Sequence, residues 1–395
     1  MRTTLLNSFY PAGELIERSN VHDVECIGDQ IYIATTDGVY SARQGQSSAF
    51  SRLTSFRAEA LQAWEDRLLC IGKKEFLWHD PRTEKQEQKD IVWPRKNLLS
   101  QKLREDKRGR RSVIHEHESE PFLRRAQIAN GRLYLLYHFT KPNGERKAEN
   151  EIEVGFLSGE REGILCVYSL SELVLENHYP LTCSSWDFAI YDPFIFYPGG
   201  GTECPTLYRT DMRTGDALQH RLSEICYAVC CDGTRVFAPQ EHCMHVFKVE
   251  DFTPVGEFDL PQLMKEYSES LKNALVQNKA MELELGYPQY DSFCALHKDM
   301  AECEREGLWY AISGNSTPYH CIEGCAIDGA HGVLAVSTEL GSAPGFLWDT
   351  VNGKPLCWLL DGRNTVVARK AKLRWPIVMI NAHESAHVWK ITQDS

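Results

Sequence analysis

The stretch Phe346–Pro355, FLWDTVNGKP, decides how this chain is read. An apolar aromatic run (Phe346, Leu347, Trp348) meets an acid at Asp349. A turn carrying Asn352-Gly353 then leads into a second apolar run, Pro355 to Leu360. Asn-Gly supplies the positive φ that tight hairpin turns need, so two antiparallel strands joined by a short turn are expected. One hairpin fixes no fold; the rest of the chain must repeat the same order of parts.

It does. Working outward, period-2 apolar runs broken by Asp, Gly and Asn fall into units of similar design. Each has a first strand, a turn, a very apolar second strand, a third strand often ending in an aromatic residue plus an acid, and a more polar fourth strand. The second strands are the clearest: IYIAT (31–35), LLCIG (68–72), LYLLY (133–137), FIFYP (194–198), RVFAP (235–239), VLAVS (333–337) and IVMIN (377–381). Near-continuous apolar runs suit strands buried on both faces. The last unit supplies only three strands, and Leu5–Tyr10 is positioned to provide the fourth, which removes a free sheet edge. The count closes at seven.

By this order of parts, and by Trp348-Asp349, the chain resembles the WD-repeat β-propeller family over nearly its whole length. Trp78 before His79-Asp80 is a degenerate copy of the same strand ending. The Gly-His pair that opens such repeats is missing, and His331-Gly332 sits elsewhere, in a turn. The resemblance implies an all-β, seven-bladed propeller occupying residues 1–395 as one domain, closed by an N-terminal strand. It implies a fold and not an activity.

Composition agrees with a large folded core. The chain has 395 residues, 43% hydrophobic and 10% aromatic, with a net charge of −12 that opposes general nucleic-acid binding. No apolar run approaches the roughly 20 residues that cross a bilayer. The N-terminal MRTTLLNSFYPAGE lacks the apolar core of a secretory signal, so a cytoplasmic or nuclear protein is expected. The 14 cysteines lie mostly within apolar runs and read as small buried hydrophobes. His242, Cys243 and His245, with Cys226, Cys230 and Cys231 upstream, contain no Cys-x2-Cys knuckle, so no structural zinc site is expected.

Three insertions break the rhythm. Residues 94–120 begin with Arg95, Lys96, Lys102, Arg104, Lys107, Arg108, Arg110 and Arg111 against Glu105 and Asp106, a net charge of +6, and then turn acidic. This segment suits an acidic partner or nucleic acid, although no aromatic residue for base stacking lies between Arg95 and Arg111; its plain alternative is a solvated loop. Residues 140–162 are polar with no period. Residues 261–306 switch to a helical period, with Leu263, Met264, Tyr267, Leu271 and Leu275 on one face and Phe293, Leu296 and Met300 on a second short helix. This αα-hairpin would pack on the propeller or receive a partner, with Tyr267, Leu271 and Phe293 as contacts.

No catalytic motif emerges. Gly199-Gly200-Gly201 lacks a following Gly-Lys-Ser/Thr, Gly-x-Ser-x-Gly does not occur, and the His-Glu-x-x-His spelled by His383-Glu384-Ser385-Ala386-His387 lacks the helix that motif requires. His383 and His387 are four apart but on a strand turn, where their rings need not converge. His79-Asp80-Pro81-Arg82 and Thr210-Asp211-Met212-Arg213 are similar to the Trp-Asp-x-Arg box with which substrate receptors of cullin-type ubiquitin ligases dock their adaptor, which implies roles for Arg82 and Arg213. The reading favoured is a non-enzymatic scaffold or adaptor that binds other proteins within a complex and needs no cofactor. The ligase receptor, an RNA- or nucleoprotein-associated propeller using the basic loop, and a propeller hydrolase are the alternatives.

Overall fold

Successive side chains of a strand point to opposite faces, so a strand between two neighbouring sheets must be apolar at every position. Blade 2 shows this. Its second strand, Arg67–Ile71, sends Leu68 and Cys70 into one apolar cluster and Leu69 and Ile71 into another. The computed structural model describes residues 1–9, 21–45, 50–92, 104–105, 111–112, 122–140, 161–183, 185–199, 205–260, 263, 321–339, 345–359, 368–382 and 385–392.

These residues form seven four-stranded antiparallel sheets. In order from the first strand, blade 1 is Val21–Ile27, Gln30–Thr35, Gly38–Arg43 and Ser51–Thr54. Blade 2 is Ala60–Trp64, Arg67–Ile71, Glu75–His79 and Gln86–Asp90. Blade 3 is Phe122–Ala129, Arg132–Thr140, Arg161–Ser169 and Leu175–Pro180. Blade 4 is Ala189–Tyr191, Phe194–Pro198, Thr206–Asp211 and Ala217–Arg221. Blade 5 is Cys230–Cys231, Arg235–Pro239, Cys243–Lys248 and Pro254–Asp259. Blade 6 is Cys321–Asp328, Val333–Glu339, Gly345–Asp349 and Lys354–Leu359. Blade 7 is Ala368–Arg374, Ile377–Ala382, Ala386–Thr392 and, paired with the last of these, Arg2–Phe9 from the start of the chain.

Seven apolar clusters occupy the joints between successive blades, and the cluster of Phe9, Val24, Ile33, Met379 and Val388 joins blade 7 to blade 1. Seven blades with seven joints make a closed ring: a seven-bladed β-propeller. Burial falls from the second strands to the fourth, where Gln86–Asp90 is exposed throughout. Ten of the described cysteines are free thiols, and seven of those ten are buried.

Trp348 lies in the joint between blades 5 and 6, fully buried, with its ring 5.6 Å from that of Phe258. Asp349 closes the turn. Its Oδ1 accepts from the amides of Val351 and Asn352, and its Oδ2 accepts from the Asn352 side chain.

Up-and-down connectivity sorts the connections onto two faces. First strands start on what we call the upper face, which also carries the second-to-third connections and every link between blades. The short turns within hairpins 1–2 and 3–4 form the lower face. Segments 94–120, 140–162 and 261–306 all leave from and return to the upper face. The first two lie outside the described residues except for Thr140, Arg161 and Glu162 of blade 3 and a short ribbon in which Arg104 pairs with Ser112 and Glu105 with Arg111. Of 261–306 only Leu263 is described, partly buried against the joint of blades 5 and 6.

Candidate functional site

The first strands stand around the axis of the ring and line a central cavity of about 290 Å³. The residues two and four places before the last one of each strand stand at or behind the channel wall, and Glu25, Arg125, Gln127 and Lys372 among them line the cavity itself. In blade 1 these are Glu25 and Asp23, in blade 7 Lys372 and Lys370, in blade 3 Gln127 and Arg125, and ahead of blade 4 Asp187. A chain rich in apolar joints thus gathers charge at its centre.

The charges are paired across blades. Lys372 Nζ lies 2.8 Å from Asp23 and 3.4 Å from Glu25, and it donates to the carbonyl of Leu61 at 2.6 Å. Arg374 Nε donates to Glu25 at 2.7 Å. The same carboxylates accept from backbone amides of blade 2: Asp23 from Leu61 at 2.8 Å, Glu25 from Ala63 at 3.3 Å. Burial works against ionisation of Asp23, but Lys372, Lys370 and the Leu61 amide outweigh it and hold its carboxyl below the ordinary range. On the far side, Arg125 Nε lies 3.1 Å from Asp187 Oδ1, without hydrogen-bond alignment, while Asp187 Oδ2 accepts from the amide of Val229. Burial keeps Asp187 above the usual carboxylate range despite Arg125. Lys370 donates to the carbonyl of His22 at 3.4 Å, and burial pulls its pKa down to about 8. These charges are thus paired or hydrogen-bonded across blades, with Asp187 Oδ1 the one carboxylate oxygen of the set that accepts no aligned hydrogen bond.

The upper mouth of the channel is different. The first strands of blades 1, 3, 6 and 7 each slip register there, bulging at His22, Arg124, Glu323 and Arg369. A bulge leaves one residue unpaired in the ladder and re-aims its side chain. Arg124 is thereby set with its guanidinium 4.0 Å from the Trp186 ring and 4.5 Å from Phe122, and its Nε donates to His138 Nδ1 at 3.2 Å. The other ring nitrogen of His138, Nε2, is set against the Ser185 backbone, where it meets the carbonyl oxygen and lies 3.1 Å from the amide nitrogen. Trp186 stands edge-on to both His138 and Tyr227, and Phe122 is 49% exposed. The rim of blades 3 to 5 therefore carries a cationic side chain fixed among aromatic rings.

The residues singled out from sequence separate by face. Arg82 and Arg213 stand in third-to-fourth turns on the lower face, both exposed. Arg82 pairs with Asp66, whereas Arg213 folds back on Asp211, donating from Nε at 3.2 Å and from Nη2 at 2.9 Å. Hydrogen bonds from Arg213 lower the Asp211 carboxyl to about 2. Each Asp-x-Arg is thus closed within its own blade. Arg95, Lys96, Lys107, Arg108, Arg110, Tyr267, Leu271 and Phe293 lie outside the described residues, and Arg104 and Arg111 are described only as backbone of the ribbon. His387 is buried between Ser8 and Ser385, with ring nitrogens 3.1 and 2.9 Å from their hydroxyls. Among the described residues, one group of three has donors close enough for a shared metal ion: Cys243, His245 and Glu257, on the outer strands of blade 5.

Sequence reasoning missed both the channel charges and the rim. Their signal was the alternate position in each first strand, which becomes readable only once the seven strands are placed in register.

No family model matches the chain, and no curated protein matches it. Solved structures do. The β-propeller domain of Cps50 (Swd1) from Myceliophteria thermophila is similar at a TM-score of 0.50 and 10% identity, covering 99% of this chain and 100% of that one. The likeness is one of fold. The computationally designed Ika8 protein gives the same TM-score and identity, covering 98% of this chain and 99% of its own. At such identity the β-propeller architecture is shared and nothing finer is carried over.

Proposed function

We propose that the protein is a non-enzymatic scaffold that binds other proteins within a larger assembly through its upper face. The observation that carries this reading is Arg124, turned out by a bulge and held between Phe122 and Trp186 with Tyr227 alongside. Trp, Tyr and Arg dominate the binding free energy of protein interfaces. A guanidinium already fixed by stacking and a hydrogen bond loses little freedom when a partner covers it. Support also comes from topology, because all three insertions leave from and return to this face. The paired charges of the channel suit a rigid hub.

The test is affinity purification of the full chain from its native cell, comparing Arg124→Ala and Trp186→Ala with Arg82→Ala and Arg213→Ala. The reading expects a stoichiometric partner that is lost from the first two variants and kept by the second two, with all four melting as folded proteins. A partner kept by Arg124→Ala and Trp186→Ala sinks it. Loss confined to Arg82→Ala or Arg213→Ala would move the partner to the lower face, where the cullin-adaptor reading places it.

A further inference from the structure

We propose that Cys243, His245 and Glu257 on the flank of blade 5 form a binding site for a divalent cation of borderline softness, zinc first. Cys243 and His245 are two apart on the third strand and so share a face; Glu257 stands directly opposite His245 on the fourth. Cys243 Sγ and His245 Nε2 are 3.4 Å apart. Zinc bonds of about 2.3 Å to sulfur and about 2.0–2.1 Å to nitrogen at a tetrahedral angle imply a separation of roughly 3.5 Å. The pair is therefore already spaced for one ion. Donor atoms of all three residues lie within 4.8 Å of one another. Ser223 Oγ, 3.2 Å from the sulfur and 3.3 Å from Nε2, marks the fourth corner.

The surroundings suit the chemistry. Both Cys243 and His245 are buried, which shields metal–ligand bonds from water, whereas the Glu257 side chain is 63% exposed and opens the site to solvent. Without metal the thiol is protonated and donates to Gln240 Oε1 at 2.8 Å. Binding forms the metal–sulfur bond and sends that proton to solvent, one per cation. The usual sequence signature was absent because the donors come from one strand face and its neighbour, not from a Cys-x2-Cys knuckle.

The test uses the metal-stripped full chain titrated with Co²⁺ and then Zn²⁺. The expected result is one Co²⁺ per chain with a thiolate-to-cobalt charge-transfer band, displaced by Zn²⁺ with release of a proton. Cys243→Ser should abolish the band. Glu257→Gln, at an exposed position that keeps the fold, should weaken Zn²⁺ binding by roughly tenfold or more. Absence of saturable binding at micromolar metal, or a band unchanged in Cys243→Ser, would overturn the proposal.

Discussion

Lys372 of blade 7 places its Nζ 2.8 Å from Oδ2 of Asp23 in blade 1, so residues 349 positions apart share one ion pair beside the channel. The lysine also holds the Leu61 carbonyl of blade 2, and one side chain thus ties three blades. Removing one partner of a buried pair leaves the other uncompensated, which typically costs about 3–5 kcal/mol. Asp23→Asn and Lys372→Met should each destabilise the ring by about that amount in urea denaturation, and the double variant by clearly less than the sum. Additive losses would show that the two side chains act independently.

Lys370 titrates with the opposite sign to an ordinary stabilising pair. Its pKa falls from 10.5 to about 8 on folding. Below pH 8 both states hold the proton and the full penalty of burying the charge applies. Between about pH 8 and 10.5 only the unfolded chain keeps it, so this contribution to stability rises with pH. Lys370→Met removes the effect. The stability advantage of that variant over the native chain should therefore shrink across this window, and an advantage constant with pH would refute the shift.

Gly353 answers to two demands at once. Its φ is +63°, and a Cβ there would come 2.3 Å from the Phe258 ring of the neighbouring blade. Gly353→Ala should cost about 2–4 kcal/mol by combining backbone strain with overpacking. Adding Phe258→Leu should return part of that loss, because it removes the ring that the methyl meets. No rescue in the double variant would leave backbone strain as the whole cost.

What could be read in the sequence follows from how each element is stabilised. Trp348-Asp349 and runs such as IVMIN were legible because burial against both neighbouring blades leaves a continuous apolar signal in a single strand. The channel charges were not, because Asp23, Arg125, Asp187 and Lys370 each look like ordinary polar residues of a half-buried strand. Their meaning depends on partners in other blades. Arg124 was hidden for a related reason: a bulge is a property of two paired strands, and only the pairing of Phe122–Ala129 with Arg132–Thr140 shows it. The Cys243–His245 pair is legible as two donors on one strand, whereas Glu257 joins them only through the pairing of the third and fourth strands of blade 5.

The lower-face arginines should matter little for folding. Arg213 is answered within its own turn by Asp211, and Arg82 by Asp66 across the hairpin, both in solvent. Exposed pairs of this kind contribute little because water screens them and long side chains lose freedom in holding them. Arg82→Ala and Arg213→Ala should melt with the native chain, and a clear drop in melting temperature would reveal a structural role.

The buried thiols set the alkaline limit. Cys70 sits in the joint between blades 1 and 2, and burial holds its pKa far above the ordinary value of 9.0, as it does for Cys26 and Cys226. Below pH 9 the thiols are protonated in both states and their packing counts in full. Above it the unfolded chain releases protons that the folded chain retains, so stability falls as pH rises. Cys70→Ala should flatten this decline in a measured series of melting temperatures. Its cost at neutral pH should be smaller than that of Cys70→Ser, which buries a hydroxyl where the sulfur needed no partner, at about 1–3 kcal/mol. Equal costs for the two variants would show that the site can supply the hydroxyl with a hydrogen bond.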